Sequence, residues 1–314
     1  MTLLIATRNG VYRTTNNSLD AYEHVLDSGD TLRVRTFEKH DGVFAASISG
    51  LYRSHDSGTT WEALDVPQEE VFSVVGSPDG KRLYAGTHPA HLYVSDDHGT
   101  SWDELDSFQT LPTRNEWHTP RHRNAAHVRS LAVHPDVPNR VIAGVEVGGV
   151  YVSDDAGGSW SDRRTNSGTE LDLRDDIHHL LALDTDSFIA SCGEGLFRTH
   201  DTGRSWTRID DQGDLTYFRE AFYHEGVLYA GAHSKPGTWN TSEGPALLEC
   251  HLDRETVERV PYPGEAENEF IIAWSVENGS VLAGTNTGRV LRRDDDRWTS
   301  RGNVPSPLRS LMAV

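Results

Sequence analysis

The sequence predicts an all-β, seven-bladed β-propeller with four-stranded blades, in which the C-terminal strand closes the first blade. Three observations carry this. An apolar strand ending in small residues recurs seven times. An acidic, Gly-containing turn ending in Trp recurs four times. The two ends of the chain each supply part of one repeat.

The recurring strand reads LLIAT, VFAAS, LYAGT, VIAGV, FIASC, LYAGA and VLAGT, beginning at Leu3, Val43, Leu83, Val141, Phe188, Leu228 and Val281. A second strand follows as GVYRT, GLYRS, HLYVS, GVYVS, GLFRT or RVLRR; the sixth copy reaches its counterpart, ALLECHL, only after a long insert. Where no insert intervenes the period is ~40 residues, the length of one four-stranded blade. Apolar and polar residues alternate within the strands, as packing of sheets face to face requires. The expected blades are 1–28 with 306–314, 29–66, 67–108, 127–165, 176–211, 214–262 and 268–304, with inserts at 109–126 and 233–245. The first blade lacks an innermost strand at its own start, whereas the chain ends in PLRSLMAV, a copy of the innermost pattern HVRSLAV. Pairing the two ends closes the ring and hides two sheet edges.

The turns read Ser/Thr-x-Asp-x-Gly-x-Ser/Thr-Trp at Ser54–Trp61, Ser95–Trp102, Ser153–Trp160 and Thr199–Trp206. A decayed copy ends at Trp298, and the first and sixth blades have none. The Asp can accept hydrogen bonds from the turn's own amides, Gly permits a positive φ, and Trp packs between neighbouring sheets. These aspartates are therefore expected to be structural. Four copies at this spacing resemble the Asp-box, or BNR, repeats of the sialidase-like superfamily. The layout is closest to uncharacterised seven-bladed "glycosyl hydrolase-like" BNR proteins, and is also similar to the photosystem assembly factor that carries Asp-boxes. The resemblance implies the fold; the activity differs among its members. Sialidases of this superfamily have six blades and a Phe/Tyr-Arg-Ile-Pro element. Here the corresponding stretches are Tyr12-Arg13-Thr14-Thr15 and Tyr52-Arg53-Ser54-His55, so sialidase activity is not expected.

Composition restricts the partners. The 314 residues carry a formal net charge of −19, and Lys39, Lys81 and Lys235 are the only lysines. A surface of hydrated carboxylates with few lysines is the pattern of a salt-adapted, halophilic protein, and it opposes binding to nucleic acid or anionic membranes. No apolar run approaches the ~20 residues that span a bilayer. Cys192 and Cys250 do not form a disulfide framework, and the first ten residues lack a signal-peptide pattern. A cytoplasmic monomer is expected.

A ligand would bind on the face opposite the acidic turns, where first strands begin and second strands end. Aligning the innermost strands on VRSL places Arg33, Phe72, Arg129, His179, Arg219, Ile272 and Arg309 at one level of the channel. Converging guanidinium groups repel one another and call for a carboxylate, phosphate or sulfate, unless neighbouring acidic residues pair with them. The loops add His88, His91, Glu146, Cys192, Glu194 and His233. The two inserts add Glu116, Trp117, His118, Arg121, His122, Arg123, His127, Lys235, Trp239 and Glu243. Asp175, Asp176 and His178 open the fifth blade. Trp117 offers a platform for a sugar ring or a plug for the channel. Glu146 and Glu194 are the candidate catalytic acid and base, with a carboxyl pKa raised by a partly dry funnel. Tyr217 is a weaker candidate nucleophile, and Cys192 reads as a small buried residue. No cofactor is implied with certainty; a divalent metal is open, with His88, His179 and His233 as its candidate ligands and Glu146 beside them.

Two functions remain in play. One is an enzyme, a glycosidase-like hydrolase or a lyase acting on a sugar acid or similar small anion. The other is a non-enzymatic binding or assembly module that docks a protein partner.

Overall fold

The computed structural model describes residues 1–15, 19–119, 122–165, 174–234, 244–264 and 269–314. Seven antiparallel sheets of four strands form the β-propeller. In blade 4, for example, the strands are His127–His134, Val137–Glu146, Gly149–Ser153 and Ser161–Asp162, in spatial order. The other innermost strands are Thr31–Phe37, Val71–Gly76, Ile177–Ala182, Tyr217–His224, Ile271–Glu277 and Leu308–Ala313. Among the described residues, helix is confined to Asp106–Gln109, where blade 3 runs into the insert, and a 3-10 turn at Arg114–Glu116 within the insert before blade 4. No described helix is long and apolar enough to cross a membrane.

Closure is as the sequence predicts. Leu308–Ala313 pairs antiparallel with Leu3–Thr7, in the register Leu3 to Ala313 through Ala6 to Ser310. Reciprocal backbone hydrogen bonds between Thr2 and Val314 extend the ladder. Leu308 and Leu311 are buried there with Leu3, Ile5 and Leu282. The core is accordingly not one mass but a series of wedges between adjacent blades. Leu4, Ala6 and Val11 of blade 1 pack on Val34, Val43 and Ala45 of blade 2, and Phe44, Ala46 and Leu51 of blade 2 pack on Val71, Val74 and Leu83 of blade 3. Small residues in the recurring strand let neighbouring sheets approach, which is why Ala and Gly recur there.

The acidic turns are hairpins between third and fourth strands, and all four have the same wiring. Ser153 Oγ accepts from the Gly157 amide at 2.8 Å and donates to Asp155 Oδ1 at 2.8 Å. Asp155 in turn accepts from the Ser159 amide and hydroxyl at 2.8 and 2.7 Å. The same contacts recur around Asp56, Asp97 and Asp201. Hydrogen bonds from the Ser or Thr that follows hold the Asp97 and Asp201 carboxyls at about 2. Ala156 and Gly157 take φ of 61° and 96°. A Cβ on Gly157 would lie 2.6 Å from Leu105 Cδ1, so the position needs glycine for both conformation and space. The turn tryptophans Trp61, Trp102, Trp160 and Trp206 are half-buried against the inter-blade wedges.

Candidate functional site

Each innermost strand carries a β-bulge at the same place, and the bulge builds the site. The ladder skips one residue, or two in blade 6, between Thr31 and Arg33, Val71 and Ser73, Val128 and Ser130, Ile177 and His179, Phe218 and Ala221, and Ile271 and Ala273. In the closing strand it skips Arg309. An extra, unpaired residue re-aims its side chain. The bulged residues are thus Leu32, Phe72, Arg129, His178, Arg219, Ile272 and Arg309. All but His178 line a cavity of about 690 Å³ on the axis. The cavity lies where second strands end, as at Glu146, and so on the face opposite the acidic turns. The residue after the bulge instead reaches the neighbouring blade. Ser73 Oγ donates to the Val128 carbonyl at 2.7 Å, and Ser130 Oγ accepts from the Leu180 amide at 2.9 Å.

This register corrects two expectations. Arg33 and His179 do not share a level with Arg129, Arg219 and Arg309. Their counterparts are Ser73, Ser130, Glu220 and Ser310, one step deeper, because the bulged residues of blades 2 and 5 are Leu32 and His178. At that deeper level Glu220 is 5% exposed and neutralises the guanidiniums, lying 3.5 Å from Arg33 and 3.2 Å from Arg35. Burial lowers the Arg33 pKa against the pull of Glu220, and pushes the His179 imidazole down to about 4.

The three arginines of the outer level have different fates. Arg309 is held by Asp30 in a bidentate pair, both contacts at 2.7 Å. Arg129 is 8% exposed, its Nε is 3.7 Å from Glu146 Oε2, and that Nε has no hydrogen-bond partner. Arg219 donates to Tyr217 Oη at 3.2 Å, and among the described residues no carboxylate lies within ion-pair distance of it. Burial opposes the Arg219 charge, but Tyr217, Glu146 and Asp176 raise its pKa nevertheless.

Glu146 is the buried carboxylate of the funnel, 2% exposed. It faces His127 across the first two strands of blade 4, and His127 Nε2 lies 3.1 Å from Oε2. His127, fully buried and pushed down to about 4 by burial, is neutral and donates this bond. Burial alone would raise the Glu146 carboxyl, but His127, Arg129 and His178 outweigh it and hold the group well below the usual carboxylate range. This corrects the expected raised pKa: Glu146 is a resident anion rather than a proton donor. Glu194 is half-buried in the Cys192–Gly195 turn and does not line the funnel, so the two proposed carboxyls are not brought together there. Cys192 is fully buried.

Other candidates fall into place around this centre. His88 lines the cavity, with Nδ1 2.7 Å from Glu70 Oε2 and Nε2 3.1 Å from the His122 carbonyl. His233 stacks on Phe270 at 4.2 Å and lies 4.7 Å from the Tyr217 ring; burial pushes it down to about 3. His91 and Glu116 are engaged away from the cavity, with Glu104 and Arg164. Trp117 is no platform. It is 5% exposed, donates to Tyr151 Oη at 2.8 Å and packs on Phe108, within the wedge between blades 3 and 4. Arg121, Lys235, Trp239 and Glu243 lie outside the described residues.

The expected metal set does not assemble, since His88, His179 and His233 fall into no common group among the described residues. Two other groups do, each with ligand atoms within 4.8 Å of one another: His122, His127 and Glu146, and Glu146, Asp176 and His178. Asp176 and His178 were visible in the sequence at the opening of blade 5, but only the bulge shows which of the tandem histidines turns toward Glu146.

The fold defines a seven-bladed β-propeller, and comparisons with known proteins confirm that class without narrowing it. A GH74 xyloglucanase from Xanthomonas campestris superposes with a TM-score of 0.62 at 18% identity, over 85% of this chain and 44% of that one. The chain thus spans less than half the length of that enzyme. YCF48 in a structure bound to D1 peptide gives 0.58 at 16%, over 86% and 80%. YCF48 from Cyanidioschyzon merolae gives 0.56 at 14%, over 86% and 84%. No family model and no curated protein matches the sequence.

Proposed function

We propose that the chain binds a small anionic ligand, such as a sugar acid, another carboxylate or a phosphate, between Arg129 and Arg219 in the axial funnel. The observation that carries this reading is the contrast among the arginines. Arg309, Arg33 and Arg35 have carboxylate partners, whereas Arg219 faces the cavity with, among the described residues, only Tyr217 Oη as its hydrogen-bond partner. A half-buried guanidinium with unused donors is costly, and a planar anion would take up those donors in pairs. The xyloglucanase likeness supports a sugar-based ligand. Hydrolysis is less well supported. Glu146 is low in pKa, and Asp176, a carboxylate within 4.8 Å of it, is fully buried. A glycosidase needs both carboxyls within reach of the substrate.

The test is calorimetric titration with phosphate, citrate and galacturonate. Binding of one of them, weakened about 10- to 100-fold in Arg219→Gln, is the expected result, since a charged hydrogen bond contributes about 1.5–3 kcal/mol. Equal affinity in the variant would sink the reading. Turnover of a sugar-acid panel, lost in Glu146→Gln, would restore the hydrolase or lyase.

A second reading, docking of a protein partner, draws on the YCF48 likeness, which spans most of both chains. The four turns support an Asp-box propeller of the sialidase-like type. The charge of −19 and three lysines support a salt-adapted protein, and the buried free thiols Cys192 and Cys250 a reducing, cytoplasmic setting.

A further inference from the structure

We infer that Glu146, Asp176 and His178 form a site for one divalent cation of the zinc or manganese type, beside the anion pocket and sharing Glu146 with its wall. The argument starts from His178. Its Nδ1 lies 2.5 Å from the Phe218 backbone carbonyl. A carbonyl only accepts, so Nδ1 carries the proton and donates it. In the neutral ring Nε2 is then a lone pair. That atom is buried, has no hydrogen-bond partner, and lies 3.5 Å from Asp176 Oδ2. The ring and both carboxylates are buried, and their ligand atoms lie within 4.8 Å of one another.

His178 therefore turns a buried lone pair toward two buried carboxylates, an arrangement that a cation completes. The 3.5 Å gap between His178 Nε2 and Asp176 Oδ2 matches two ligands that each sit about 2.0–2.2 Å from a common ion in tetrahedral geometry. The Nδ1 bond to a backbone carbonyl is also the orienting contact that ligating histidines make. The neighbouring group of His122, His127 and Glu146 makes no such demand. His127 Nε2 already donates to Glu146 at 3.1 Å, so the His127 atom that faces Glu146 is a donor and not a lone pair. One imidazole and two carboxylates suit zinc or manganese better than calcium, which prefers oxygen.

The test uses the full chain, dialysed against a chelator and titrated with Zn²⁺ and Mn²⁺ alone. One equivalent should bind one of these ions and raise the melting temperature. Asp176→Asn and His178→Gln should each weaken binding beyond the 10- to 100-fold that loss of an orienting partner costs, while His122→Gln retains it. Should a buried variant not fold, X-ray absorption on the metal-loaded wild type decides. A shell with one imidazole and two carboxylates is expected. Two imidazoles, loss of binding in His122→Gln, or no stoichiometric uptake by the wild type would overturn the assignment. Because the readout is the metal itself, failure here leaves the anion pocket standing, and failure of anion binding leaves this site standing.

Discussion

The two faces of this propeller handle charge in opposite ways. On one face each turn aspartate is served by residues within four positions of itself, and the wiring is the same at Asp56, Asp97, Asp155 and Asp201. On the other face the charges come from many blades: Arg129 and Glu146 from blade 4, Asp176 and His178 from blade 5, Arg219 from blade 6, Arg309 from the closing strand. Local wiring makes a turn that works alone and repeats. Long-range convergence makes a place where demands are left over, and ligands bind where demands are left over.

The strongest way to break that contrast is to open the ring. Deleting Leu308–Val314 removes the innermost strand of blade 1 and two buried leucines and exposes the edge of Leu3–Thr7. Loss of a cooperative urea transition, followed by tryptophan fluorescence, is the expected outcome. An unchanged midpoint would mean that closure does not hold the blades together.

A smaller effect separates the faces. Ser153→Ala leaves the buried Gly157 amide without its acceptor and should cost about 1–3 kcal/mol of stability. Anion affinity should stay within a factor of two. A large loss of affinity in this variant would show that the two faces are coupled.

Acid should also act on the faces in sequence. The buried imidazoles His179 and His233 have folded pKa values of about 4 and about 3, below the ordinary value near 6.5. As pH falls below about 6.5 the unfolded chain takes up their protons and the folded chain does not, so stability declines from there toward pH 3. The turn aspartates are lowered, Asp97 and Asp201 to about 2, so the contribution of these two is intact above about 4 and is lost only between about 4 and 2. His233→Gln should flatten the upper part of this decline and leave the lower part unchanged. Denaturant midpoints measured from pH 7 to pH 3 would show it.

The smallest effect is expected at Arg309. Its guanidinium is already held by Asp30, so Arg309→Gln should change anion affinity less than about threefold, against the larger loss in Arg219→Gln. Equal losses would mean that the pairing with Asp30 does not decide which arginine is available.

The same contrast explains what could be read from the sequence. The turns and the small-residue strands are local and repeated, so blade number, strand order and ring closure were all legible. The site was legible in its members but not in its assembly. Glu146, His127, Arg129 and Arg219 stand out as charged residues at strand ends. The tandem pairs Leu32–Arg33 and His178–His179 present two candidates each, and the bulge decides which one faces the axis. Aligning the innermost strands on the residue opposite the central Ala of the next strand, Val34 to Ala45 and Leu180 to Ala190, would have placed both correctly. Glu220, which neutralises Arg33 and Arg35 from across the channel, had no signal of its own: nothing in FREA distinguishes it from any strand glutamate. Trp117 was misread because insert residues look exposed until the wedge they fill is known.

The most direct measurement is a difference electron-density map from crystals soaked in citrate or phosphate. The account predicts density within hydrogen-bond distance of the Arg129 and Arg219 guanidiniums, with Arg309 still paired to Asp30. Density at Arg309 instead, or a funnel that stays empty while the anion binds elsewhere, would contradict it.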